Sequence, residues 1–174
     1  MKNLKQDLLK LADTTTNEFT KEIARRMSVG KRSKKIQQLK DFVLVLPEMV
    51  EQIRSWLDRS KDNPALRNLH GFMMTYIYHP DDFVPEKDQG LFGYLDDAYL
   101  VGNIYYRAML NVGAGKKLYL PGTESLAKRI RPWLRLTRRV LPTETDRIDS
   151  MLDDIGRTDL DSFHEMMGAK RSAK

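Results

Sequence analysis

From Leu4 to Met167 the apolar residues of this chain recur at intervals of three and four, and no segment alternates apolar and polar residues over the length of a strand. Spacing near 3.6 puts such side chains on one face of a helix, so the pattern predicts an all-α fold. Leu4, Leu8 and Leu11 open the series, and Phe19, Ile23 and Met27 continue it. Ile36, Leu39, Val43 and Leu46 form a third group, Met49, Val50, Ile53, Trp56 and Leu57 a fourth, and Leu66, Leu69, Met73, Met74 and Ile77 a fifth.

The interruptions divide the chain. Asp13 to Thr16 favours caps over helix interior and predicts either two short helices or one long helix with a weak centre. Gly30 is the expected stop of the second, and Gly30 to Lys35 reads as a basic connection. Proline inside a helix costs about 3 kcal/mol, so Pro47 is expected to open a new helix or to kink a continuous one, and Asn63-Pro64 to start another. His79 to Gly93 contains two prolines, two glycines and several acids and cannot be regular helix. The helical pattern resumes near Leu95 and runs to Leu110; Asn111 to Gly122 reads as a loop, with a short extended piece at Leu118 to Leu120. Thr123 is placed to cap a helix through Val140, kinked at Pro132. Thr143 with Asp146, and Thr158 with Asp161, resemble capping boxes of two last helices, and Gly168 ends the second.

The expected architecture is a bundle of about seven to eight helices in one domain, residues 1–174. Its parts are N-terminal helices over 1–60, a helix–loop–helix core over 64–110 and C-terminal helices over 123–168. A chain of 174 residues, 41% apolar and 31% charged, can bury a sizeable core. It has no cysteine, which excludes disulfides, thiolate metal sites and a cysteine nucleophile, and fits a reducing compartment. The longest apolar run, Phe42 to Leu46, falls far short of the ~20 residues a membrane span needs. Met1 to Lys10 lacks the apolar stretch and cleavage site of a signal peptide, and a soluble cytoplasmic protein is expected.

One segment is specific. Pro80, Asp82, Val84, Pro85 and Glu86 are followed by Gly93, Tyr94, Leu95, Asp96 and Asp97. The prolines fix φ and end one helix, while Asp96 and Asp97 stand where carboxylates cap the next and complement its dipole, for about 0.3–1 kcal/mol each. Gly93 would permit the sharp turn between them. In order and spacing these residues resemble the signature of the YkvA-like domain family, over about residues 66–110. The resemblance implies a helix–loop–helix and a family of unestablished function. His79-Pro80-Asp81-Asp82 is more polar than the family's usual form, as is the helix after Asp97, and this points to a soluble member.

Oxygen-rich clusters suit hard divalent cations, so His79, Asp82, Glu86, Asp96 and Asp97 are the candidate ligands of a Mg²⁺, Mn²⁺ or Ca²⁺ site, although their spacing is not that of an EF-hand. A metal-dependent enzyme would be built on Asp82, Asp96 and Asp97. The architectural reading needs no cofactor. The other histidines, His70 and His164, belong to no HExxH pair, and no Gly-x-Ser-x-Gly elbow, Walker loop or dinucleotide fingerprint appears. Gly113-Ala114-Gly115-Lys116-Lys117 lacks the spacing of a phosphate loop.

The net charge of +6 is unevenly placed. Residues 21–40 carry eight cations against Glu22 alone, and residues 116–139 carry eight against Glu124 alone. Lys31, Arg32, Lys34, Lys35, Arg129, Arg135, Arg138 and Arg139 are therefore the candidate nucleic-acid contacts, by phosphate attraction rather than by any known DNA- or RNA-binding motif. The same charges suit an anionic membrane surface or an acidic protein, or face the acidic blocks of this chain. Six tyrosines around the motif, Tyr76, Tyr78, Tyr94, Tyr99, Tyr105 and Tyr106, are expected either to pack a half-buried face with hydroxyls reaching water or a carboxylate or to line a partner groove. With no complete catalytic set, the expected function is a non-enzymatic protein-interaction or regulatory module, with a nucleic-acid-associated protein and a metal-dependent enzyme as alternatives.

Overall fold

The computed structural model describes residues 2–30, 33–59, 64–77, 83–84, 89–113 and 124–157. Among these residues the fold is all-α: α1 Lys2–Thr14, α2 Thr16–Met27, α3 Lys34–Leu44, α4 Leu46–Arg59, α5 Pro64–Ile77, α6 Leu95–Gly113, α7 Glu124–Val140 and α8 Pro142–Arg157. A single 3-10 turn, Gly90–Phe92, precedes α6.

Most helix boundaries fall near the expected residues, although the Thr15 hydroxyl donates to Leu11 O and does not cap α2. The chain breaks at Thr15, and α5 opens on Pro64. Pro47 is the second residue of α4, where its missing N–H costs nothing. Four boundaries differ from expectation. Gly30 does not end α2; Ser28 takes the left-handed conformation at φ 51°, and its N–H and that of Val29 both donate to the Ala24 carbonyl. Satisfying that orphan carbonyl offsets the ~1–2 kcal/mol cost of a non-glycine residue there. Lys34 and Lys35 are not loop residues but the first turn of α3, which Ser33 caps by accepting from the Lys35 N–H at 3.3 Å. Thr143 caps nothing, because α8 starts one residue earlier at Pro142, whose fixed φ is already helical. Only buried Leu141 separates α7 from α8, and the backbone bonds Leu141 N–H to Thr137 O and Thr145 N–H to Leu141 O bracket it. α7 itself continues through Pro132. The expected loop after Leu110 starts later, since α6 runs to Gly113; residues 114–123 and the Thr158–Gly168 segment lie outside the described residues.

α6 is the axis of the bundle, in contact with α3, α4, α5, α7 and α8. Every residue from Leu95 to Tyr105 is buried. That is how a helix surrounded on all sides must pack, and the glycine at its middle makes the surrounding possible. A β-carbon at Gly102 would lie 2.7 Å from Phe42 Cζ on α3 and 3.2 Å from Leu134 Cδ2 on α7. Phe42 in turn packs on Trp133 at 5.3 Å between centroids, and Trp56 of α4 packs on Tyr105 at 4.7 Å. α1 and α2 close one side, where Phe19, Ile23, Leu91 and Phe92 are fully buried.

Candidate functional site

The motif region is built as a junction. Gly90 has φ +55°, and a β-carbon there would meet the Thr15 side chain at 2.8 Å. The Leu91 N–H donates to Thr15 Oγ1 at 3.1 Å, so the bend between α1 and α2 is keyed to the turn before α6. The glycine requirement therefore falls on Gly90. Gly93, which sequence reasoning singled out, is buried with ordinary right-handed geometry at φ −58° and ψ −29°. Val84 is buried in the core, and the neighbouring Phe83 packs edge-on against Tyr76 at 6.0 Å. Pro80, Asp82, Pro85 and Glu86 lie outside the described residues, as does His79.

Asp96 and Asp97 occupy the first turn of α6 and are both fully buried. Asp96 Oδ2 accepts the Tyr76 hydroxyl at 2.9 Å. Tyr99 and Tyr105 continue the theme along α6. The Tyr99 hydroxyl donates to Asp149 of α8 at 2.9 Å, and that of Tyr105 to Gln52 of α4. These three rings are buried rather than half-buried, while their hydroxyls reach side-chain oxygens, two of them carboxylates, so apolar packing and polar pairing coincide. Burial, reinforced by the Asp149 carboxylate, pushes the Tyr99 phenol up to about 12. Burial, with Arg54 nearby, likewise holds His70 below the ordinary histidine range. Among the described residues no three His, Asp or Glu side chains converge as a metal-ligand set.

The second candidate region is the outer face of α7. Leu126, Ile130, Trp133, Leu134, Thr137 and Val140 are buried, and all six cations of the helix, Lys128, Arg129, Arg131, Arg135, Arg138 and Arg139, are exposed. They are not equivalent. Arg138 pairs with Asp149 and lies over the Tyr99 ring at 5.8 Å. Arg129 folds back, its Nε donating to Ser125 O at 3.3 Å and its guanidinium lying 5.0 Å from the Trp133 ring centre. Lys128, Arg131, Arg135 and Arg139, at i, i+3, i+7 and i+11, form one row, and none is paired with a carboxylate among the described residues. Sequence reasoning placed Lys128 and Arg131 in the basic block but not among the candidates. The heptad-like spacing was the signal that could have promoted them, and that could have demoted Arg129.

The two basic blocks share one end of the bundle. Arg26, at the end of α2, donates from Nη1 to Val140 O at the end of α7, 3.2 Å away. The short turn closed by Ser33 N–H to Gly30 O then starts α3, which packs along α7 with Phe42 against Trp133. Exposed Lys34 and Lys35 thus lie toward the Arg139 end of the row. Arg25 and Arg26 add little free charge, since both bind Glu22 at 2.6 Å and hold its carboxyl down to about 2. Lys31 and Arg32 lie outside the described residues.

Comparison with known protein families, with characterised proteins and with solved structures gives no match. No helix among the described residues is long and apolar enough to cross a membrane.

Proposed function

We propose that this chain is a non-enzymatic interaction module that docks an anionic macromolecule on the outer face of α7. The observation that carries the reading is the exposed row Lys128, Arg131, Arg135 and Arg139, without carboxylate partners among the described residues. Four like charges in a row are unfavourable for an isolated helix, at about 0.2–0.5 kcal/mol per neighbouring pair, so helix stability does not explain them. Lys34 and Lys35 sharpen the point. Cations in the first turn of a helix oppose its dipole, for about 0.3–1 kcal/mol each. Both features make sense where an anion covers them.

The turn at Gly90–Phe92 with the first turn of α6 is, in this reading, the junction that holds α6 and through it α7. Its likeness to the YkvA-like signature then marks a shared helix junction in a soluble relative.

The test is retention on immobilised heparin. A variant with Lys128, Arg131, Arg135 and Arg139 changed to Gln is compared with one in which Lys5, Lys10, Lys21 and Arg54, also exposed, are changed instead. The first should elute at clearly lower salt than the second, although their net charges are equal. Co-elution of the two would refute the docking face.

A further inference from the structure

We propose that the anion docked on α7 is the phosphate backbone of a nucleic-acid duplex, held without reading of its bases. This rests on the reading of α7 as a docking face and names its partner.

Composition of the face favours phosphate over protein. Protein interfaces are depleted of charge at their centre and enriched in aromatic residues, whereas nucleic-acid interfaces are polar and strongly positive. Here the centre of the face is Lys128, Arg131 and Arg135, with Pro132 beside them, and the aromatic residue of the helix, Trp133, is turned into the core. Three of the four cations are arginine, whose fork matches phosphate oxygens in pairs.

The same geometry selects duplex over single strand and over membrane. Single-strand binding relies on exposed aromatic rings as stacking platforms, and insertion into a lipid interface on exposed apolar residues. Among the described residues the exposed large apolar side chain is Leu9, on α1. The row also runs along the helix. Eleven residues at 1.5 Å rise span about 16 Å, comparable to the axial rise of about five phosphates on one strand of a duplex. Lys34 and Lys35, exposed in the first turn of α3, add two cations on a helix packed against α7.

The experiment titrates the full chain into labelled 20-base-pair DNA and RNA duplexes of unrelated sequence between 50 and 200 mM salt. The same duplex series is repeated with the α7 quadruple Gln variant, and wild type is also titrated against one strand alone, poly-glutamate, and vesicles rich in phosphatidylserine. Each phosphate contact contributes about 0.9 to the slope of log affinity against log salt, so the variant should flatten that slope by about 3 to 4. Arg131→Gln and Arg135→Gln alone should each flatten it by about 1, which keeps the test informative if the quadruple variant does not fold. Binding of either duplex with little dependence on sequence supports the inference. A single strand held more tightly than its duplex overturns it. If poly-glutamate or vesicles bind through the row and duplexes do not, the docking face stands and the nucleic-acid partner falls. If no polyanion distinguishes wild type from the variant, both readings fall.

Discussion

The Tyr76 hydroxyl donates to Asp96 Oδ2 at 2.9 Å, tying α5 to the first turn of α6 inside the core. Asp96 is fully buried, so its carboxyl group lies where water cannot reach it and each hydrogen-bond partner counts. Tyr76→Phe should therefore lower stability by about 1–3 kcal/mol in chemical denaturation, more than the loss of an exposed hydroxyl would. Asp96→Asn in the Tyr76→Phe background should cost less than in the wild type, because the two side chains share one interaction. Additive losses would show that the bond contributes nothing.

Gly102 and Gly71 make opposite predictions for the same substitution. Ala at Gly102 puts its β-carbon 2.7 Å from the Phe42 ring, which Trp133 backs at 5.3 Å, so the ring has little room to yield. Overpacking of this kind costs about 1–3 kcal/mol. Gly71 lies within α5, is exposed, and has nothing within 4 Å of a β-carbon. Ala there should stabilise by about 0.5–1 kcal/mol through helix propensity. Melting temperatures of the two variants should move in opposite directions; a Gly102→Ala protein as stable as wild type would mean that α3, α6 and α7 are less closely packed than described.

Tyr99 supplies a pH dependence. Burial first, then Asp149, raises its phenol from 10.0 to about 12. A raised pKa means that the unfolded chain loses its proton first, so the contribution to stability is fully present below pH 10 and is lost as the pH rises through about 12. Absorbance titration should show late tyrosine ionisation, and Tyr99→Phe should remove one phenol from that late phase. The stability gap between Tyr99→Phe and wild type should narrow over the same interval. A tyrosine spectrum complete by pH 11 would contradict the buried Tyr99–Asp149 pair.

Much of the fold follows from local chemistry that a sequence displays openly. The 3.6-residue apolar period, the threonine break at Thr15, and the prolines at Pro47 and Pro64 are each decided within a few residues, by helix geometry and by where a missing N–H is harmless. That much the sequence determined by itself: an all-α chain, its main breaks, and two basic blocks. The tertiary structure alone decided which glycine must take a left-handed φ: Gly90, crowded by Thr15, 75 positions away, while the motif's Gly93 has right-handed geometry. It also decided which cations are free. Arg138 and Lys128 are alike as letters, yet Asp149 of a neighbouring helix engages one and no described carboxylate engages the other. Partners across helices are set by packing, and packing depends on contacts between residues far apart in the chain, which no local pattern contains.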